Sequence, residues 1–217
     1  MRDLVSSHTT LYHAAARTPG ARPIEGRGTA FAITTADGEW FVRHFRRGGA
    51  VAGVLGDRYL RMRQGRAFHE LSVSAIARSR GIPTPEVIAA VSYPGLLFRR
   101  CDIAVEFIPD AIDLAAVLFS DDAIDADAAT AKAAVAIRTS CERGLVHADL
   151  NLKNILVAPS GAYMIDLDKS RLAIPSSPAV RAMRSRFVRS LEKWEAQTRI
   201  KVSPGRRRML MEAFRAG

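Results

Sequence analysis

Asp149, Asn154 and Asp166 are the side chains whose types and spacing could do chemistry together. The first two lie in His147-Ala148-Asp149-Leu150-Asn151-Leu152-Lys153-Asn154-Ile155-Leu156-Val157, and the third in Met164-Ile165-Asp166-Leu167-Asp168. The pattern reads as a short polar loop, a strand, a turn and a second strand ending in carboxylates. Ile155-Leu156-Val157 anchors the loop to a core, Ser160-Gly161 supplies the turn, and Ala162 to Leu167 returns as the partner strand. Such a hairpin brings Asp166 back beside Asn154. An amide oxygen next to a carboxylate suits magnesium, a hard ion that takes oxygen ligands and keeps several waters. Asp149 stands apart from the pair and can accept a proton. Metal ligands beside a base are the inventory that phosphoryl transfer needs.

A lone His-x-Asp is common by chance, and a carboxylate at a strand end is often only a cap. The spaced set H-x-D-L-x-x-x-N, then an apolar strand, then I-D, is much rarer. In order and spacing it matches the catalytic loop and metal-binding Asp of kinases.

Other elements must deliver these groups. Ahead of the loop, Ala128 to Arg143 reads as an Ala-rich helix with Ala134, Ile137 and Cys141 on one face, ended by Gly144. Ser120 to Asp127 is an acidic connector suited to capping it, and Ile112 to Phe119 reads as a short helix. Beyond Asp168, Ile174-Pro175-Ser176-Ser177-Pro178 is a break. Val180 to Thr198 is then a helix with Met183, Phe187, Leu191 and Trp194 on one side. Arg206 to Phe214 combines three arginines with Met209, Leu210, Met211 and Phe214. These stripes either complete a core or lie on anionic lipid.

The first half reads as strands around one helix. Glu25 to Ile33, the turn Asp37-Gly38 and Trp40 to Phe45 form a β-meander. Gly26 and Gly28 would let a backbone approach a phosphate. By itself that G-x-G is weak evidence, and Phe31 stands where a fuller glycine motif has its third Gly. Arg43, near a strand end, is either a phosphate-binding cation or a solvated one. Arg66 to Arg80 is a helix whose expected buried stripe is Phe68, Leu71, Ser72, Ala75, Ile76 and Ser79. Glu70 lies one step off that stripe, where it pairs inward with Arg43 or forms a surface ion pair. Val87 to Tyr93 and Leu96 to Phe98 form a strand pair across Pro94-Gly95, and Ile103 to Pro109 is a further strand entering a connector. Residues 1–23 are polar, with Pro19, Gly20 and Pro23, and are expected to pack loosely.

Composition narrows the classes. The chain has 217 residues, 48% of them hydrophobic and 25% charged, which suits a folded protein rather than a disordered one. Cys101 and Cys141 are far apart and lack CxxC spacing, so a disulfide framework or structural zinc site is not expected. No apolar run at the N-terminus suggests a signal peptide, and none approaches a membrane span. The expected location is therefore cytoplasmic. The net charge of +10 is concentrated late: 11 Lys+Arg against 3 Asp+Glu from Arg181 onward. That tail suggests an anionic partner. Nucleic acid is not expected, because basic and aromatic residues are not interleaved.

On these residues the chain resembles the 3-deoxy-D-manno-octulosonic acid (Kdo) kinases of the lipopolysaccharide kinase family, from about Gly26 to Leu191. The most specific matches are Phe41-Val42-Arg43-His44-Phe45-Arg46-Arg47-Gly48-Gly49, Asp57-Arg58-Tyr59, Gly81-Ile82-Pro83-Thr84-Pro85 and the H-x-D-L-N-x-x-N-I-L loop with Ile165-Asp166-x-Asp168. Asn151 stands where Ser/Thr kinases usually carry Lys, and Asp168 replaces the Gly after their metal-binding Asp.

The resemblance implies an α+β, two-lobed protein-kinase-like fold with a small β-rich N-lobe and a mostly helical C-lobe. The expected division is an extension over 1–23, an N-lobe over 24–105, a hinge over 106–110 and a C-lobe over 111–217. It implies transfer of the ATP γ-phosphate, with magnesium, to the 4-OH of Kdo on Kdo-lipid A in inner-core biosynthesis. Asp149 would be the base, and Asn154 and Asp166 the metal ligands. Arg43 and Glu70 would hold the nucleotide phosphates under the Gly26 and Gly28 loop, with adenine on the backbone near Glu106 to Ile108. His147 would brace the catalytic loop. The basic tail would hold the protein on the cytoplasmic face of the inner membrane.

The short segment after Asp168 leaves little room for a peptide-binding platform, which favours a small or glycolipid acceptor. The alternatives are a small-molecule kinase of the aminoglycoside or choline type, a RIO-like atypical kinase, or a pseudokinase acting as a binding module.

Overall fold

The computed structural model describes residues 10–24, 30–45, 59–60, 65–93, 98–120 and 125–215. Within them the chain divides into two compact units. The first holds the described residues up to Ser72 together with Glu86–Phe107, and the second holds Val73–Pro85 and the described residues from Ile108 onward.

The first unit is built on an antiparallel sheet. Its strands are β1 (Arg22–Ile24), β2 (Ala30–Thr35), β3 (Gly38–His44), β4 (Tyr59–Leu60), β5 (Val87–Tyr93) and β6 (Phe98–Glu106), in the order β1-β2-β3-β6-β4 with β5 also on β6. Thr35 pairs with Gly38, so Ala36 and Asp37 form the turn and Gly38, at φ 123°, opens β3. Strand alternation then sorts β3 onto two faces. Trp40 and Val42 pack with Leu11, Ala15, Ile33, Ala89 and Ala104. On the other face Phe45 packs with Ala67, Cys101 and Ile103.

Three expectations need correction here. The described part of the N-terminal segment is not loose. Leu11–Arg17 is a helix, α1, and β1 joins the sheet. Leu11 is buried in the sheet cluster, and the Leu11 and Tyr12 N–H groups donate to the Tyr93 hydroxyl and to Asp102 Oδ2. Nor is Ile103–Pro109 a strand of its own; Leu96 and Leu97 lie outside the described residues. Phe98–Glu106 is a single strand running through Arg99, Arg100 and Asp102. The polar run is tolerated because Asp102, fully buried, accepts from His44 Nδ1 at 2.5 Å and from the Tyr93 hydroxyl at 3.0 Å.

The third correction concerns α2 (Arg66–Ser79), whose existence and extent were expected. Its buried face is Ala67, Glu70, Val73, Ser74 and Ala77, whereas Phe68 and Ile76 are 37% and 46% exposed. Glu70 therefore lies on the buried stripe rather than beside it. Small side chains let the helix approach its neighbours closely, and this decides the face against the bulkier residues.

The second unit is mostly helical. It contains β7 (Ile112–Asp113), α3 (Leu114–Phe119), α4 (Ala126–Glu142), β8 (Leu145–Val146), β9 (Ile155–Ala158), β10 (Gly161–Met164), β11 (Arg171–Leu172), α5 (Ser177–Thr198) and α6 (Pro204–Glu212). Asp113 caps α3 through the Ala116 N–H, and Asp125 caps α4 through the Asp127 and Ala128 N–H groups. One core joins α3, α4, β9 and β10 with Met183, Phe187 and Leu191 of α5 and Leu210 of α6. The apolar stripes of both C-terminal helices thus serve the core. Cys101 and Cys141 are buried and outside any disulfide; burial pushes the Cys141 thiol up to about 11. Among the described residues, no helix is long and apolar enough to cross a membrane.

Candidate active site

In the second unit, α4 ends at Glu142, Gly144 follows at φ 81°, and β8 leads into the loop His147–Asn154. Leu150 and Leu152 are fully buried and anchor that loop, while Asp149 remains exposed. A single 3-10 turn spans Leu152–Asn154, started by Asn151, whose Oδ1 accepts from the Lys153 N–H. The Leu152 N–H donates to Ser190 Oγ of α5 at 3.2 Å. Nothing in the local sequence signals that tie, because its partner lies 38 residues away.

The amide groups of Asn151 and Asn154 both donate to the Asp149 carbonyl, at 2.9 and 2.8 Å. The bond from Asn154 Nδ2 fixes its amide and leaves Oδ1 as the atom able to ligate a cation. Strands β9 and β10 pair from Ala158↔Gly161 to Ile155↔Met164. The Ile165 N–H then donates to the Asn154 carbonyl at 3.0 Å. This places Asp166 one residue past the contact, so the hairpin brings the two residues together. Asp166 sits at φ 61°, a left-handed conformation uncommon outside glycine. Such strain tends to occur at functional sites.

His147 is fully buried beneath this arrangement. Its Nε2 donates to the Ile165 carbonyl at 2.9 Å, and its Nδ1 accepts from the Asp149 N–H at 3.2 Å. One donor and one acceptor match a neutral imidazole. Burial holds its pKa below the ordinary value, which keeps it neutral. His147 thus ties the loop that carries Asp149 to the chain that carries Asp166.

Asn154 and Asp166 offer the hard oxygen donors that magnesium prefers. Among the described residues, no three His, Cys, Asp or Glu side chains gather into a metal cage. A pair of oxygen ligands fits magnesium, which in phosphoryl-transfer sites is bound by one or two carboxylates plus substrate phosphates.

In the first unit, Arg43 Nη2 meets Glu70 Oε2 at 2.6 Å. The guanidinium also lies 4.4 Å from the Phe45 ring centroid. Strand alternation sends Arg43 to the α2 face, and Glu70 lies on the buried stripe of that helix. Neighbouring His44 points to the opposite face and meets Asp102, a pairing 58 residues apart that sequence reading missed.

At the expected hinge, the Glu106 N–H donates to the Glu86 carbonyl and the Phe107 N–H to the Glu39 carbonyl. Glu106 Oε2 accepts from the Glu86 N–H in return. Phe107 closes the first unit and Ile108 begins the longer stretch of the second, so Glu106 and Ile108 belong to different units. Gly26 and Gly28, with Arg46 to Gly49, lie outside the described residues.

Comparison with known proteins adds a separate line. The model of the lipopolysaccharide kinase (Kdo/WaaP) family matches residues 17–203. A 3-deoxy-D-manno-octulosonic acid kinase of Stenotrophomonas maltophilia is 33% identical over 180 residues, covering 80% of this chain and 70% of that protein. The enzyme of that name from Xylella fastidiosa is 30% identical over 178 residues, with the same coverages. That from Vibrio cholerae is 31% identical over 156 residues, covering 70% of this chain and 65% of its own. A solved structure, WaaP in complex with acyl carrier protein, superposes with a TM-score of 0.55 over 96% of this chain and 83% of that one. At 14% identity it speaks for the protein-kinase-like fold alone.

Proposed function

We propose an activity from the premise that the chain belongs to the lipopolysaccharide kinase (Kdo/WaaP) family. It is a kinase that phosphorylates Kdo in lipopolysaccharide core biosynthesis. The small-molecule, RIO-like and pseudokinase alternatives are not favoured. In finer terms, ATP is the donor, the 4-OH of Kdo on Kdo-lipid A is the acceptor, and magnesium assists.

The observation that carries the site assignment is the loop held by His147, with Asn154 fixed beside Asp166 and Asp149 exposed. Asp149 orients the acceptor hydroxyl and takes its proton as the oxygen bonds to the γ-phosphorus and ADP departs. Asn154 and Asp166 hold magnesium, which when bound offsets the negative charge of the phosphates. Arg43, steadied by Glu70, binds nucleotide phosphates as a fork. Gly26 and Gly28 cover the phosphates, and the backbone near Glu106 and Ile108 receives adenine. The basic C-terminal segment attaches the protein to the anionic cytoplasmic face of the inner membrane.

The test replaces Asp149 with Asn and follows phosphate transfer from ATP to Kdo-lipid A. Turnover should fall about 10²–10⁴-fold while ATP affinity stays unchanged. Near-wild-type turnover would remove Asp149 from the role of base.

A further inference from the structure

The run Arg206-Arg207-Arg208 divides by use. Arg206 Nε bonds Asp127 Oδ1 at 2.6 Å, and Arg207 Nη2 reaches Glu195 Oε2 at 3.4 Å. Arg208 has no acidic partner among the described residues. It instead lines a cleft of about 270 Å³ with Arg184, Arg215, Met211, Glu212 and Phe214. Arg184, exposed on α5, likewise has no acidic partner among the described residues. The one acid in the lining, Glu212, reaches only Arg215, at 3.8 Å across exposed side chains. Such a pair is weak and screened. Three guanidinium groups against one carboxylate leave a local excess of positive charge.

The cleft is also firmly built. Leu210 and Ala213 are fully buried and seat α6 on the core. Phe214 is 4% exposed and packs on Phe187 with ring centroids 5.4 Å apart. Arg184 and Arg208 therefore stand on two packed helices, with Arg215 just beyond the end of α6 and Met211 and Phe214 also in the lining. Guanidinium forks suit phosphate oxygens, and four of the six residues in the lining are charged.

We propose that the α5/α6 cleft binds a phosphate group through Arg184, Arg208 and Arg215. The inference deepens the membrane-attachment part of the proposed function by naming the chemistry that the tail recognises. The phosphate is lipid-borne or free in solution, and one experiment distinguishes the sources.

The full chain, without nucleotide, is co-sedimented with phosphatidylcholine vesicles containing phosphatidic acid, and titrated calorimetrically with inorganic phosphate. R184Q/R208Q is compared with R181Q/K193Q, which removes the same charge from exposed positions on α5 outside the cleft. The cleft variant should bind about tenfold or more weakly than wild type, and the control variant less than about threefold. Binding to vesicles alone identifies a lipid-borne phosphate. Binding of inorganic phosphate with the same sensitivity identifies the phosphate group itself as sufficient. Equal losses in both variants would mean diffuse attraction and overturn the site, as would binding of neither probe by wild type. Because ATP is absent, failed phosphoryl transfer would count against the kinase reading and leave this result standing.

Discussion

His147 uses both ring nitrogens on backbone groups, and this couples the candidate site to pH. Burial lowers its pKa below the ordinary 6.5. Between the two values the unfolded chain binds a proton that the folded chain refuses, so stability falls as pH falls. The contribution is complete above about pH 6.5 and is lost progressively below it. Thermal unfolding across pH should show wild type losing stability below that point more steeply than His147→Gln. Equal slopes would mean that His147 is not neutral in the folded protein. The nearness of Asp149, Asn154 and Asp166 was legible in sequence because it is local: Asp149 and Asn154 share one loop, and a two-residue turn returns the chain to Asp166. The ties to Ser190 and from His44 to Asp102 were not legible, since they cross 38 and 58 residues and follow no spacing rule.

At the scale of elements, the Arg43–Glu70 pair depends on which face α2 buries. The large residues Phe68, Leu71 and Ile76 directed the sequence reading to one side, but close packing selected the side with Ala67, Ser74 and Ala77. Propensity and periodicity located the helix; its rotation was set by tertiary contact. Glu70 is 5% exposed, so removing the Arg43 guanidinium weakens the support of a carboxylate in a poor solvent. Arg43→Met should destabilise the protein by about 3 kcal/mol in urea unfolding. Adding Glu70→Leu should recover most of that loss, and no recovery would show that the pair is not the source.

Gly144 joins α4 to the strand before the His147–Asn154 loop. Its φ is 81°, and an added Cβ would overlap the Ala173 carbonyl oxygen. Gly144→Ala should cost more than the about 1–3 kcal/mol of backbone strain alone. Gly20→Ala provides the comparison, with φ 77° but open space around it. Equal losses in thermal unfolding would mean that the Ala173 overlap is relieved without cost.

Across the whole molecule, the family sets the reaction and the charge distribution suggests where the acceptor is met. The α+β kinase-like class was legible from the motif order together with the strand-rich first half and helical second half. The docking of α1 was not, because a seven-residue helix has little stability of its own. It relies on Tyr93 and Asp102, far along the chain. The most direct measurement treats Kdo-lipid A with the protein, ATP and magnesium, and fragments the product by mass spectrometry. Transfer to Kdo predicts a gain of one phosphate that stays with the Kdo fragment and disappears with Asp149→Asn. A phosphate on the lipid A fragment, or no gain with wild-type protein, would contradict it.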